Sequence, residues 1–93
     1  MNETLIEHVE IVNQRGLHAR ASAKFVNFVA ALPESIVVTV HKDGHEANGG
    51  SILGLMMLGA AKGDMIEIRA GGDGADVMMP KLVGLVMDGF GED

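Results

Sequence analysis

The sequence predicts an α+β domain in which a four-stranded antiparallel sheet carries three helices on one face, in the order β-α-β-β-α-β-α. Three patterns point to it. Short β-branched runs alternate apolar and polar residues, two longer stretches carry helical stripes, and Asp43-Gly44 sits between strand-like segments as a tight turn does. Leu5 to Val12 reads as the first strand, with Val9 and Ile11 alternating against His8 and Glu10. Asn13 to Gly16 form a loop. From Ala19 to Leu32 the apolar residues Ala21, Phe25, Phe28, Val29 and Leu32 make one helical stripe, and Pro33 ends it. Ile36 to His41 and His45 to Ala47 form a hairpin around Asp43-Gly44. Ser51 then precedes Ile52 to Leu58 and can cap a short helix by accepting from a backbone N–H. Met65 to Ala70 alternates again as the fourth strand. After the turn Gly71-Gly72-Asp73-Gly74, Asp76 to Met87 reads as a helix, with Pro80 expected only in its first turn, where a missing N–H does no harm.

Composition narrows the function. Ninety-three residues leave room for one modest core, so a single domain over residues 1–93 is expected. A net charge of −6, with seven Lys and Arg and no Trp or Tyr, argues against nucleic acid, which is bound through basic groups and stacking rings. The opening residues carry acids where a secretory signal needs positive charge, and no apolar run approaches the ~20 residues that span a bilayer. A cytoplasmic monomer without membrane attachment is therefore expected. Without cysteine there is no thiolate metal site, and His8, His41 and His45 lack an acidic cluster at ligand spacing, so no metal is expected and these histidines read as solvated strand residues.

Charge distribution says more than its sum. Ile11 to Pro33 contains no Asp or Glu but holds Arg15, Arg20 and Lys24, and Ala47 to Gly63 again lacks carboxylates. An acidic chain has left two segments free of negative charge, and these are the candidate working surfaces. His18 lies where the first loop meets the first helix, near free N–H groups and the positive dipole end. Arg20 and Lys24 add fixed positive charge. Such a place suits an anion, and a neutral imidazole there can take up and release a phosphoryl group. A histidine after Gly-Leu also serves as a plain helix contact.

The segment Gly16-Leu17-His18-Ala19-Arg20 closely resembles the active-site signature of the HPr family of phosphotransferase-system carriers. Gly50-Ser51-Ile52-Leu53, with Leu55 and Leu58, resembles that family's regulatory serine and short helix. The resemblance spans essentially the whole chain and implies the family's open-faced β-sandwich. It implies that His18 accepts phosphate from phosphorylated Enzyme I on Nδ1 and donates it to an Enzyme IIA-type acceptor. It assigns Arg20 to phosphate stabilisation and Ser51 to regulatory phosphorylation in those bacteria that possess HPr kinase, in a carrier that is not an enzyme and needs no cofactor. One departure stands at Ala21, where the family usually has Pro; Ala is a good helix former, so the change bears on rigidity at the helix start. Pro80 and Gly84 are also unusual for the family.

Ser51 has a second reading as a helix cap alone. Ile52, Leu53, Met56 and Met57 are too many apolar residues for one buried stripe of a two-turn helix, so some should be exposed beside Ala19 and Lys24 as a partner-binding patch. Two other classes remain: an adaptor of the same fold that signals by its phosphorylation state, and a ligand-binding or metal-delivery module, which the absence of a cysteine pair disfavours.

Overall fold

The period-two runs become strands β1 (Leu5–Glu10), β2 (Val37–Lys42), β3 (His45–Asn48) and β4 (Met65–Gly71) of one antiparallel sheet ordered β1-β4-β2-β3. The computed structural model describes residues 3–92, so the ends of the domain expected over residues 1–93 lie outside them. Register follows the pattern of side chains: Val9 faces Ile66, Val38 faces Ala70, and Val40 faces both Ile68 and Ala47. All are buried. Odd neighbours on β4 show the opposite face, where His8 and His41 both face Glu67. Asp43 and Gly44 close the β2–β3 hairpin with φ of 51° and 83°, the double left-handed backbone of the tight turn that Asp-Gly favours.

Helices α1 (Ala19–Ala30), α2 (Ile52–Met57) and α3 (Ala75–Met87) cover the inner face of the sheet. Ala21 and Phe25 of α1, Leu55 of α2, and Met79, Leu82 and Val86 of α3 are buried with the inward strand residues in one core. This is the arrangement the sequence pattern predicts, with bounds of β2, β3, α2, β4 and α3 moved by one residue and three further differences. First, α1 stops at Ala30 rather than Leu32, because Ala31 and Leu32 turn their N–H groups to the carbonyls of Phe28 and Val29 in a tighter, three-residue closure. Second, β1 ends at Glu10, two residues before Val12. Third, Pro80 lies at the sixth helical position of α3, beyond the first turn where it was expected. The helix tolerates it because Pro80 is exposed while Met79 and Leu82 on either side are buried, so core packing outweighs one missing hydrogen bond.

An element the pattern did not foretell closes the described chain. Gly89–Gly91 form a short 3₁₀ turn whose Phe90 is 1% exposed and enters the core at φ 57°. This turn brings the chain back to the start of α1.

Candidate functional site

His18 is placed by the loop before it. Gly16 has φ 62°, and a Cβ there would overlap the carbonyl oxygen of Ala60, so only glycine lets the loop lie against the segment after α2. Leu17 N–H then donates to Ala60 O at 3.0 Å, and the buried Ser22 Oγ donates back to Leu17 O at 3.1 Å. His18 is thereby held as the N-cap residue of α1, with extended backbone (φ −74°, ψ −178°).

An ordinary cap would turn its side chain inward to accept an N–H of the first turn. His18 does not. The first helical N–H to find its carbonyl is Ser22 N, at 2.9 Å from His18 O, so the amides of Ala19, Arg20 and Ala21 stand at the helix start without an intrahelical partner. Ala19 and Arg20 are exposed, while Ala21, at the position where proline was expected, is buried in the core. A cleft of about 440 Å³ beside the ring is lined by Gln14, Arg15, His18, Arg20, Lys24, Gly91 and Glu92. Three cations thus converge with the positive end of α1, a setting that stabilises added negative charge.

Glu92 corrects the expectation that this surface is free of carboxylates. It arrives from 74 residues away in sequence, carried by the Gly89–Gly91 turn, and its Oε2 lies 2.7 Å from His18 Nε2. Its Oε1 accepts from Asn13 Nδ2 at 3.0 Å. Lys24, which adds fixed positive charge as expected, also donates to the carbonyl of Phe90 and so pins the returning chain. Burial pushes the Glu92 carboxyl up, but the hydrogen bonds from Asn13 and His18 and the electrostatic pull of the His18 ring and of Lys24 outweigh it and hold the carboxyl below its ordinary value. Neither Asn13 nor Glu92 was picked out from the sequence. Asn13 read as a loop residue, and a lone glutamate near the end of an acidic chain carries no periodic or motif signal.

Ser51 is the N-cap of α2, accepting from Gly54 N–H at 2.9 Å. Behind it Leu55 is fully buried, whereas Ile52, Leu53, Met56 and Met57 are 41, 67, 39 and 77% exposed, so the excess apolar residues do face outward. The strand histidines are not simply solvated: His8 Nε2 lies 3.0 Å from Glu67, and His41, whose side chain is 17% exposed, has Nε2 2.9 Å from Thr39 Oγ1. His45 is exposed as expected. No group of three or more His, Asp or Glu side chains among the described residues could hold a metal ion.

The model of the family described as "PTS HPr component phosphorylation site" matches residues 6–88. The chain belongs to the HPr family. Phosphocarrier protein HPr of Neisseria meningitidis serogroup A is 43% identical to this HPr-family chain over 88 residues, covering 95% of it and 97% of the relative. Phosphocarrier protein NPr of Escherichia coli K12 is 32% identical over 90 residues, covering 97% and 99%. Among solved structures, HPr-C-His from Thermoanaerobacter tengcongensis superposes with a TM-score of 0.87 at 36% identity, over 96% of this chain and 98% of that one. The four-stranded antiparallel sheet with three helices is therefore the HPr fold, and a phosphotransferase-system phosphocarrier role comes with the family. Among the described residues no helix is long and apolar enough to cross a membrane.

Proposed function

We propose that His18 accepts a phosphoryl group from phosphorylated Enzyme I and passes it to an Enzyme IIA-type acceptor, the chain acting as a stoichiometric carrier rather than an enzyme. The observation that carries this reading is the start of α1, where His18 does not cap with its side chain, the first amides have no intrahelical partner, and the ring lines a cleft with Arg15, Arg20 and Lys24. A phosphoryl group on the ring brings negative charge to that spot. The amides of the first helical turn and the helix dipole stabilise it, and the exposed Arg20 guanidinium follows the charge as it moves between partners.

Docking falls to the outward residues around the ring: Ala19 and Lys24 on α1 and Ile52, Leu53, Met56 and Met57 on α2. Exposed methionines adapt to differently shaped partners, as a carrier with a donor and an acceptor requires. Ser51 is the proposed site of HPr kinase. Phosphate on its Oγ suits the start of α2, yet it sets negative charge among the apolar docking residues and weakens the approach of an acidic partner. The reading places a monomer in the cytoplasm, where those partners work.

The test is labelling with Enzyme I and phosphoenolpyruvate. The parent chain takes up one phosphoryl group and hands it to an Enzyme IIA-type acceptor, and His18→Ala takes up none. Equal labelling of both proteins refutes the assignment.

A further inference from the structure

The contact between Glu92 and His18 is built at some expense elsewhere. Asn13 is fully buried, and its Nδ2 donates to two acceptors, Gly16 O at 2.9 Å and Glu92 Oε1 at 3.0 Å. Both partners accept only, so the amide cannot be turned round. Its Oδ1 is left buried without a hydrogen bond among the described residues, an arrangement that packing alone does not favour. Phe90, a bulky residue with φ 57°, holds a left-handed backbone that such side chains avoid, and it does so to bring Glu92 round to the ring. Lys24 fastens the same turn from α1. Three separate elements thus converge on one carboxylate, and that carboxylate grips one nitrogen of His18.

We propose that Glu92 is a positioning residue for phosphoryl transfer, holding the proton on Nε2 of His18 so that Nδ1 presents its lone pair to phosphorus. The inference rests on the carrier reading above and adds to it the residue that selects the reacting nitrogen. An ionised carboxylate can only accept, so at 2.7 Å Nε2 must carry the proton, and in the neutral ring the lone pair then belongs to Nδ1. The step balances without a proton transfer. Nδ1 attacks phosphorus, the bond from phosphorus to the donor breaks, and its electron pair returns to the donor. The His18 ring, now carrying phosphorus on Nδ1 and its original proton on Nε2, becomes cationic. Glu92 faces that positive ring from the Nε2 side, in a cleft that Arg15 and Arg20 also line and whose positive charge suits the phosphoryl group. When the group leaves, the electron pair of the breaking bond returns to Nδ1 and the ring is neutral again. Among the described residues that line the cleft, Glu92 is the one carboxylate and so the one group able to play this part.

The experiment compares the parent with Glu92→Gln and Glu92→Asp in single-turnover transfer from phosphorylated Enzyme I, alongside long-range ¹H–¹⁵N spectra of the ring nitrogens. The parent shows Nε2 protonated and Nδ1 bearing the lone pair. Glu92→Gln keeps the shape but loses the charge, and is expected to transfer about tenfold more slowly at saturating donor with KM unchanged, since charge-assisted hydrogen bonds are roughly twice as strong as neutral ones. Glu92→Asp, which keeps the charge, recovers a measurable part of the rate. Thermal melts identify any loss that comes from unfolding. A parent ring protonated on Nδ1, or a Glu92→Gln rate within twofold of the parent, overturns the role of Glu92 alone. A parent that takes no phosphoryl group overturns the carrier reading and this inference with it.

Discussion

Gly16→Ala and Gly59→Ala form a matched pair that tests how the His18 loop is held. The two glycines have nearly the same backbone, φ +62° and +67°, but different surroundings. Around Gly59 nothing lies within 4 Å of an added Cβ, whereas at Gly16 the same atom overlaps Ala60 O and lies 2.9 Å from Ala61 Cα. Both substitutions force an L residue into the left-handed region, which costs about 1–2 kcal/mol. At Gly16 the overlap is with backbone, which cannot rotate away, so the loop must lift from Ala60. Lifting strains the packing by roughly 1–3 kcal/mol and loses the Leu17 N–H bond to Ala60, about 1 kcal/mol more. Gly59→Ala is therefore expected to lose about 1–2 kcal/mol and Gly16→Ala about 3–6, so that the fall in Tm is roughly three times larger for Gly16→Ala. Urea titrations supply the free energies, and amide spectra of Leu17, His18 and Ala60 report the loop. Equal losses in the two variants would falsify the claim that close contact with Ala60 fixes the histidine loop.

Two further outcomes follow from the caps and charges. Ser51→Ala removes the bond to Gly54 N–H and is expected to lose about 1 kcal/mol, whereas Ser51→Asp keeps the cap and the stability but weakens Enzyme I binding; calorimetry showing undiminished affinity for Ser51→Asp removes the docking role of this surface. Because the Glu92 carboxyl is held below its ordinary value in the folded chain, its contribution to stability is complete above the unfolded carboxyl value and is lost as pH falls through the folded one. Denaturant midpoints of the parent should therefore approach those of Glu92→Gln in that acid window, and a gap that does not change with pH contradicts the direction of the shift.

Most of the fold was legible because its signals are local. Alternation in Met65 to Ala70 put Ile66 and Ile68 inward and Glu67 and Arg69 outward, and Asp43-Gly44 named its own turn. Ser51 declared a helix start through a single side chain and one N–H. The last helix was harder to bound, since Met78, Met79, Leu82, Val83, Leu85 and Val86 surround much of its circumference and blur the stripe that periodicity needs. Pro80 was expected only in a first turn, yet tertiary packing on both sides of it overrode that local preference. At the site, His18, Arg20 and Lys24 were found because they cluster within about two helical turns. Asn13 and Glu92 meet them only through the Phe90 turn, a contact across 79 residues that no pattern of neighbours encodes. Absence of acids from a stretch of sequence thus did not mean absence of acids from the surface it forms.

The most direct test of the account is to locate the phosphoryl group itself. After incubation with Enzyme I and phosphoenolpyruvate, the chain should carry one group that is lost in acid, survives base and maps to His18, with ³¹P and ¹⁵N spectra placing it on Nδ1. A group that withstands acid, or that maps to His8, His41 or His45, contradicts the assignment of His18 as the carrier of phosphate.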